Sequence, residues 1–410
     1  MKTNSSEYYI DLEQRYGAHN YHPLPVVLNR GEGVFVWDVE GKRYFDFLSA
    51  YSAVNQGHCH PKIVAAFLEQ AKQLTLVSRA FYSEPLSKFE KYITEYFGYQ
   101  RVLPMNTGVE AVETALKLCR KWGYEKKKIP GGEAQIVVVE GNFHGRTFGA
   151  ISASTSPDNA KFFGPLLPGI VKIPYNDAQA LETAISGANV AGFMVEPIQG
   201  EAGVVVPDAG YLKKVRQLCD QYRVLFLADE IQTGIARTGR LLACDHENVR
   251  PDVLILGKAL SGGMMPVSAV LADDDIMLCL KPGDHGSTFG GNALGAAVAM
   301  AALDVVRDER LAENAEKMGE IFRKEMRAMQ ALRPDRIELV RGKGLLNGVV
   351  IKPLAGEGAL EVCLKFKDKG LLAKQTHQNI IRFAPPLVIT EPQMREALAV
   401  IRETIVGLRN

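Results

Sequence analysis

Two residues carry a charge where a charge is costly. Lys258 follows the apolar run Val253-Leu254-Ile255-Leu256 and Gly257, and Asp229 closes the run Val224-Leu225-Phe226-Leu227-Ala228. Short continuous apolar runs of this kind read as parallel strands covered on both faces. A lysine at the end of such a strand loses hydration, and its pKa falls. It then offers the neutral amine that attacks an aldehyde to form an imine. The same lysine could instead lay its methylenes along the strand end and keep its ammonium in water. Asp229 weighs against that alternative, because open α/β sheets gather their ligands at the C-terminal ends of their strands.

An imine-forming lysine and an acid that keeps a ring nitrogen protonated are what pyridoxal phosphate (PLP) asks of a protein, since the protonated ring takes up the electrons released when a substrate C–H proton leaves. The segment Asp229-Glu230-Ile231-Gln232-Thr233-Gly234, with Lys258 lying 29 residues (258 − 229) beyond Asp229, resembles the signature of the class III, fold-type I, PLP-dependent aminotransferases. The resemblance covers essentially the whole chain. It implies an α/β protein whose large PLP domain, residues 52–297, holds a mainly parallel sheet covered by helices. Residues 298–410 form a smaller α+β lobe, and the N-terminal segment 1–51 contributes to that lobe and to the substrate pocket.

Other segments gain roles from the same resemblance. Asn106-Thr107-Gly108-Val109-Glu110-Ala111 joins a strand to a helix, and its small residues bring N–H groups to a helix N-terminus, a ready anion site. Corners of this shape also occur without a ligand. The resemblance assigns Gly108 and Val109 to the PLP phosphate, together with Ser287 and Thr288 of Gly286-Ser287-Thr288-Phe289-Gly290-Gly291-Asn292. Thr288 is expected to reach the cofactor of the partner subunit, which implies a homodimer or higher homo-oligomer. In Gly141-Asn142-Phe143-His144-Gly145-Arg146-Thr147, Phe143 is expected to stack on the ring with His144 beside it and Arg146 in the substrate pocket. By type alone the phenylalanine is as well suited to a core. Gln232 is expected at the ring hydroxyl and Glu196 in the same cluster.

Members of this family act on ornithine, N-acetylornithine, 4-aminobutyrate, diamines and other ω-amines. Ornithine carries an α-amino and α-carboxylate group at one end and the reacting amine at the other, so a δ-selective site must hold the α end away from the aldehyde. Tyr21 and Tyr51 resemble tyrosines of the members that do this, although either is by itself an ordinary packed aromatic. Arg146 would hold the α-carboxylate through a bidentate pair. The acceptor 2-oxoglutarate has its carboxylate beside the reacting carbon instead. Arg382 in Ile381-Arg382-Phe383 resembles the arginine that binds it, and Glu201 the acid that masks this arginine while ornithine reacts. The implied reaction moves the δ-amino group of ornithine to 2-oxoglutarate, with Lys258 shuttling the proton. Its products are glutamate and glutamate 5-semialdehyde, which cyclises to pyrroline-5-carboxylate. A transaminase for N-acetylornithine or 4-aminobutyrate is the alternative, and a non-catalytic scaffold of the same fold a more distant one. Met265 before Pro266 and Ala293 after Gly-Gly-Asn depart from the family pattern, which has an aromatic and a proline there.

Composition sets the outer limits. With 48 basic and 47 acidic residues the net charge of +1 gives no footing for nucleic acid. The six cysteines form no C-x-x-C pair, so neither zinc nor a disulfide framework is suggested. Gly57-His58-Cys59-His60-Pro61 has no second ligand cluster, Asp245-His246-Glu247 reads as a solvated loop, and no metal is expected. The start, Met1 to Glu7, has neither a secretory apolar core nor an Arg-rich transit composition. No apolar run approaches the ~20 residues of a membrane span. The expectation is a cytoplasmic protein with small-molecule substrates and no membrane partner.

The elements that must position these residues follow from periodicity. Apolar runs at 101–105, 135–139, 192–195, 224–228 and 253–256 alternate with amphipathic stretches, the pattern of a doubly wound sheet. Period-two alternation at 33–38 and 43–47 across Glu40-Gly41 predicts a hairpin. Helices are expected over 7–20, 62–73 and 85–97, one long helical segment from 296 to about 332, short strands at 348–351 and 380–383, and a last helix beginning after Thr390-Glu391-Pro392.

Overall fold

A computed structural model describes residues 5–354 and 356–408; the leader reading of Met1 to Asn4 lies outside the described residues. The chain opens with the helix Ser6–Tyr16, which stops at Gly17 rather than running to residue 20. A three-stranded antiparallel ribbon follows: β1 (Leu28–Glu32), β2 (Phe35–Asp38) and β3 (Arg43–Asp46). Gly41, at φ 86°, makes the β2–β3 turn that the alternation predicts.

The large sheet is built from β4 (Arg101–Met105), β5 (Gln135–Val139), β6 (Ile170–Ile173), β7 (Val190–Val195), β8 (Leu225–Asp229), β9 (Val253–Leu256) and β10 (Ser268–Ala272), in the order β4-β10-β9-β8-β7-β5-β6. β10 is antiparallel to both neighbours, and the remaining pairs are parallel. Every residue of β7, β8 and β9 is buried. Period two sorts their side chains into two cores: Ile136, Val138 and Leu227 pack with Ala111, Val112 and Leu116 of the helix Gly108–Glu125. Val137, Val139 and Phe226 pack with Leu212, Val215 and Leu218 of the helix Tyr211–Tyr222. Covering both faces leaves the strand ends as the place where polar side chains can meet.

The last third contains β11 (Ile337–Lys343), β12 (Leu346–Ile351), β13 (Leu371–Leu372), β14 (Lys374–Thr376) and β15 (Ile380–Phe383). β11, β12, β15 and β14 form an antiparallel sheet, while β13 pairs in parallel with β3 and so ties the N-terminal ribbon to the C-terminal third. The final helix runs over Glu391–Val406 from a Thr390 capping box.

Three expectations need correction. The segment read as one helix from 296 to about 332 is two, Ala293–Asp308 and Leu311–Leu332, broken where Arg310 takes φ 53°. No glycine or proline announces that break. Asp245-His246-Glu247 lies in a short 3-10 turn, Ala243–Glu247, rather than a loop; Asp245 is exposed and His246 and Glu247 half-buried, while Ala243 and Cys244 before them are buried and donate their N–H groups to Glu230. β6 and β10 escape the alternation pattern, because Lys172 interrupts one and Ser268 and three alanine or valine residues give the other little apolar bulk.

One local feature matters for the site. Ser49, Ala50, Tyr51 and Ser52 have φ of 48, 46, 60 and 74°, a left-handed turn made without glycine. Each such residue costs about 1–2 kcal/mol relative to the right-handed form. Asp46 holds the entry to this turn, its Oδ1 accepting the N–H groups of Leu48 and Ser49 at 2.8 Å each. Among the described residues no helix is long and apolar enough to cross a membrane.

Candidate active site

The adjacent strands β8 and β9 end side by side and deliver Asp229 and Lys258 to one cavity of about 190 Å³. Gly108, Val109, Phe143, His144, Gly145, Glu196, Glu201, Ile231 and Gln232 also line it. Lys258, at φ 42°, opens the 3-10 turn Lys258–Ser261. Burial lowers its pKa, while the carboxylates of Glu201 and Asp229 oppose the shift. The amine therefore gives up its proton more readily than an exposed lysine does.

Asp229 and His144 form a buried pair, with Nδ1 to Oδ2 at 2.6 Å. Burial by itself would lower the His144 pKa, but the bond to Asp229 and its charge more than reverse this. The other nitrogen of His144, Nε2, is buried without a partner. Glu196 sits behind them, accepting the N–H of Phe143 at 2.8 Å, and burial pushes its carboxyl up to about 7.

Gly108 and Val109 are the first residues of the helix Gly108–Glu125. Thr107 and Glu110 close a capping box at its start, with the N–H of Thr107 donating to Glu110 Oε2 at 2.6 Å. A helix begins with N–H groups that have no intrahelical partner and with the positive end of its dipole, so this wall of the cavity suits an anion. Opposite, Gln232 Nε2 lies 3.4 Å from both Tyr51 O and Glu201 Oε1, and its Oε1 is buried without a partner. A Cβ on Gly200 would fall 1.3 Å from that oxygen, so position 200 admits only glycine while Gln232 keeps this pose.

Arg382 on β15 is buried and donates from Nη1 to Glu201 Oε1 at 2.6 Å. The Tyr51 ring centre lies 4.8 Å from its guanidinium carbon. Burial would raise the Glu201 pKa, but Arg382 outweighs it and holds the carboxyl below its usual range. Arg146 is exposed, stands 5.2 Å from the Phe143 ring centre and donates to Asn159. It opens onto a neighbouring cavity of about 670 Å³ that Tyr21, itself largely exposed, also lines.

The nine residues Lys258, Asp229, Gly108, Val109, Phe143, His144, Gln232, Glu196 and Glu201 thus meet in one cavity. Tyr51 and Arg382 join it through Gln232 and Glu201, and Arg146 and Tyr21 line the space next door. Ser287 and Thr288 line neither. Ser287 accepts from Asn106 Nδ2 at 3.0 Å, and Thr288 is exposed. Gly145 and Ile231 were missed as lining residues although both lie inside quoted motifs; Gly145 takes φ 132° and a Cβ there would lie 2.3 Å from the Val109 side chain. Asn159 carried no signal in the sequence. His58 and His60 are engaged elsewhere, with Asp46 and Glu309.

An enclosed amine of lowered basicity, a buried acid, an aromatic face and an anion-binding helix start surround a space with two unpartnered buried polar atoms, His144 Nε2 and Gln232 Oε1. A flat heteroaromatic aldehyde with a phosphate arm fits that donor set. Residues 16–405 match the aminotransferase class-III family, and the chain belongs to it. It is 63% identical over 403 residues to a Drosophila melanogaster protein named "Ornithine aminotransferase, mitochondrial", covering 98% of this chain and 92% of that one. An ornithine aminotransferase structure from Toxoplasma gondii, described as having partial occupancy of PLP at its active site, superposes with a TM-score of 0.97 at 47% identity, covering 99% of this chain and 95% of that one. A structure named acetylornithine aminotransferase, from Elizabethkingia anophelis, gives a TM-score of 0.91 at 58% identity, with 99% and 100% covered. The mitochondrial name of the fly relative lends no support to the cytoplasmic expectation.

Proposed function

We propose that this chain is a PLP-dependent aminotransferase that moves the δ-amino group of L-ornithine to 2-oxoglutarate, forming glutamate 5-semialdehyde and glutamate. The observation that carries the reading is the Glu201–Arg382 pair at the wall of the cavity that holds Lys258, at 2.6 Å. When bound, PLP supplies the aldehyde that receives the amino group and a ring that takes up electrons as a substrate C–H bond ionises.

The chain's own residues supply the rest. Gly108 and Val109 would hold the phosphate at a helix start, Phe143 would give the ring a face, and Gln232 would bond its hydroxyl. Asp229, oriented by His144, would keep a proton at the ring nitrogen. Lys258 Nζ is placed to take the proton from the substrate carbon that bears the reacting amine and would return it two atoms along, on the far side of that nitrogen. Arg146, with Tyr21, holds the α-carboxylate and α-amino group of ornithine away from Lys258. Arg382 stays masked by Glu201 during that half of the cycle. When the 2-oxo acid enters, Arg382 exchanges Glu201 for the carboxylate next to the reacting carbon, and one site reads two substrates in turn.

The homodimer belongs to the same proposal. Thr288, exposed and outside its own cavity, is free to reach the phosphate in a partner subunit. The division into a 52–297 PLP domain and a smaller lobe from 1–51 and 298–410 is likewise proposed, supported by the β3–β13 pairing. The Elizabethkingia structure favours N-acetylornithine as a second reading.

The test is purified protein with PLP and 2-oxoglutarate, assayed for pyrroline-5-carboxylate from ornithine, with N-acetylornithine and 4-aminobutyrate in parallel. Preferential turnover of ornithine is expected. Preference for N-acetylornithine would transfer the assignment to the second reading and leave the aminotransferase chemistry standing.

A further inference from the structure

Ser49, Ala50, Tyr51 and Ser52 hold φ between 46 and 74°, a conformation that side-chain-bearing residues avoid. A segment of this kind persists only where its surroundings over-determine it. The supports are specific. At the entry Asp46 Oδ1 accepts two N–H groups, and Asp46 Oδ2 meets His58 Nε2 at 2.7 Å. On both sides the segment is stitched to the chain that follows Arg382: Ala384 N–H donates to Phe47 O and Leu387 N–H to Asn55 O, each at 2.8 Å. The fully buried Arg237 closes the ring, with Nη1 on Pro385 O at 2.6 Å and Nε on Asn55 Oδ1 at 3.1 Å. The turn carries Tyr51, whose ring centre lies 4.8 Å from the Arg382 guanidinium carbon.

We propose that this left-handed turn, with Asp46 as its positioning residue, makes Tyr51 a fixed platform that keeps Arg382 in place while its carboxylate partner changes from Glu201 to the 2-oxo acid. A guanidinium resting on an aromatic face is attracted by the ring quadrupole and leaves its edge N–H groups available to a carboxylate. Without the platform, an arginine released by Glu201 would be free to swing. The inference rests on the Glu201–Arg382 exchange proposed above. It predicts an asymmetry that general loss of structure would not produce, because only the half-reaction with the 2-oxo acid uses the freed arginine.

The experiment compares Ala50→Val with Ala50→Gly in the holoenzyme. Valine tolerates a left-handed backbone poorly and glycine adopts it freely. Two quantities are read: calorimetric binding of glutarate, a dicarboxylate without a reacting carbonyl, and the KM and kcat/KM of each substrate, which in a ping-pong cycle report the two half-reactions separately. For Ala50→Val the glutarate Kd and the 2-oxoglutarate KM should rise about fivefold, with kcat/KM for ornithine within about twofold of wild type. Ala50→Gly should stay within about twofold on both. If the valine variant does not fold, Asp46→Asn, which keeps shape but weakens the acceptor shared by the two N–H groups, should show the same asymmetry. Equal losses in the two half-reactions, or unchanged glutarate binding in a folded variant, would overturn the proposal. A wild-type enzyme that prefers another amine would instead sink the ornithine reading and leave the glutarate comparison valid.

Discussion

At the scale of single residues, the site is a set of charges whose environments pull them apart. Glu201 is held ionised by Arg382, and its removal leaves a buried guanidinium open to any carboxylate. In Glu201→Ala, free Arg382 should draw the α-carboxylate of ornithine and carry its δ-amine away from Lys258. The ratio of kcat/KM for ornithine to that for 4-aminobutyrate should then fall about tenfold, the size of one charge-assisted hydrogen bond; an unchanged ratio would remove the switch. Glu196 is the opposite case. Its folded pKa of about 7 stands above the ordinary 4.5, so the folded state holds the proton more tightly than the unfolded one. The sign follows: this group lowers stability progressively as pH rises from about 4.5 to about 7, and its cost is constant above that, on the order of 3 kcal/mol. Glu196→Gln lacks that dependence. Its apoprotein should melt increasingly above wild type between pH 5 and 7, and parallel melting curves across that range would contradict the assignment. Lys258 and Asp229 were legible because each is a charge at the end of an apolar run. Asn159 was not, because nothing in its neighbourhood marks it as the acceptor for Arg146.

At the scale of elements, position is set by strands and tight turns rather than by side-chain choice alone. β8 and β9 are neighbours with parallel register, which places Asp229 and Lys258 at one edge of the sheet. Gly200 lets the loop after β7 pass against Gln232 with no room for a methyl group. Gly200→Ala should therefore displace Gln232 by an ångström or so and lower kcat on the order of a hundredfold. The apoprotein should melt close to wild type, since Gln232 faces a cavity, and a variant with normal kcat would show that Gln232 is not held as described. Most strands and the terminal helix were legible from period and caps. The break at Arg310 was not, because a left-handed arginine is selected by the packing of two helices and leaves no local mark.

At the scale of the whole molecule, the described surface carries aromatic side chains that water alone would have to cover, among them Tyr82 at 101% exposure and Phe162 at 93%. Aromatic side chains exposed singly are ordinary on a protein surface, so the proposed homodimer rests on Thr288 and is tested directly. Light scattering should return about twice the 45.0 kDa of one chain. Complementation tests the shared site directly. Thr288→Ala and Lys258→Ala are each expected to be impaired, yet subunits mixed by reversible dissociation should regain activity. In the mixed dimer one site has both an intact Lys258 and, from its neighbour, an intact Thr288. No recovery would mean that Thr288 serves its own chain or none.

The amino-acid sequence by itself determined the chemistry and the class of fold. The apolar runs ending in Asp229 and Lys258 are read from local order alone, while the roles of the motifs around Gly108, Phe143 and Gln232 come from the family resemblance those motifs carry. What the tertiary structure decided is which distant residues meet. Glu201 lies 181 residues from Arg382, and they touch because β15 and the loop after β7 come to the same cavity wall. The left-handed turn at Ser49–Ser52 is set in the same way. Its φ angles are unfavourable for those residue types, so only bonds from Asp46 and from the chain after Arg382, made once the sheets have assembled, can hold it.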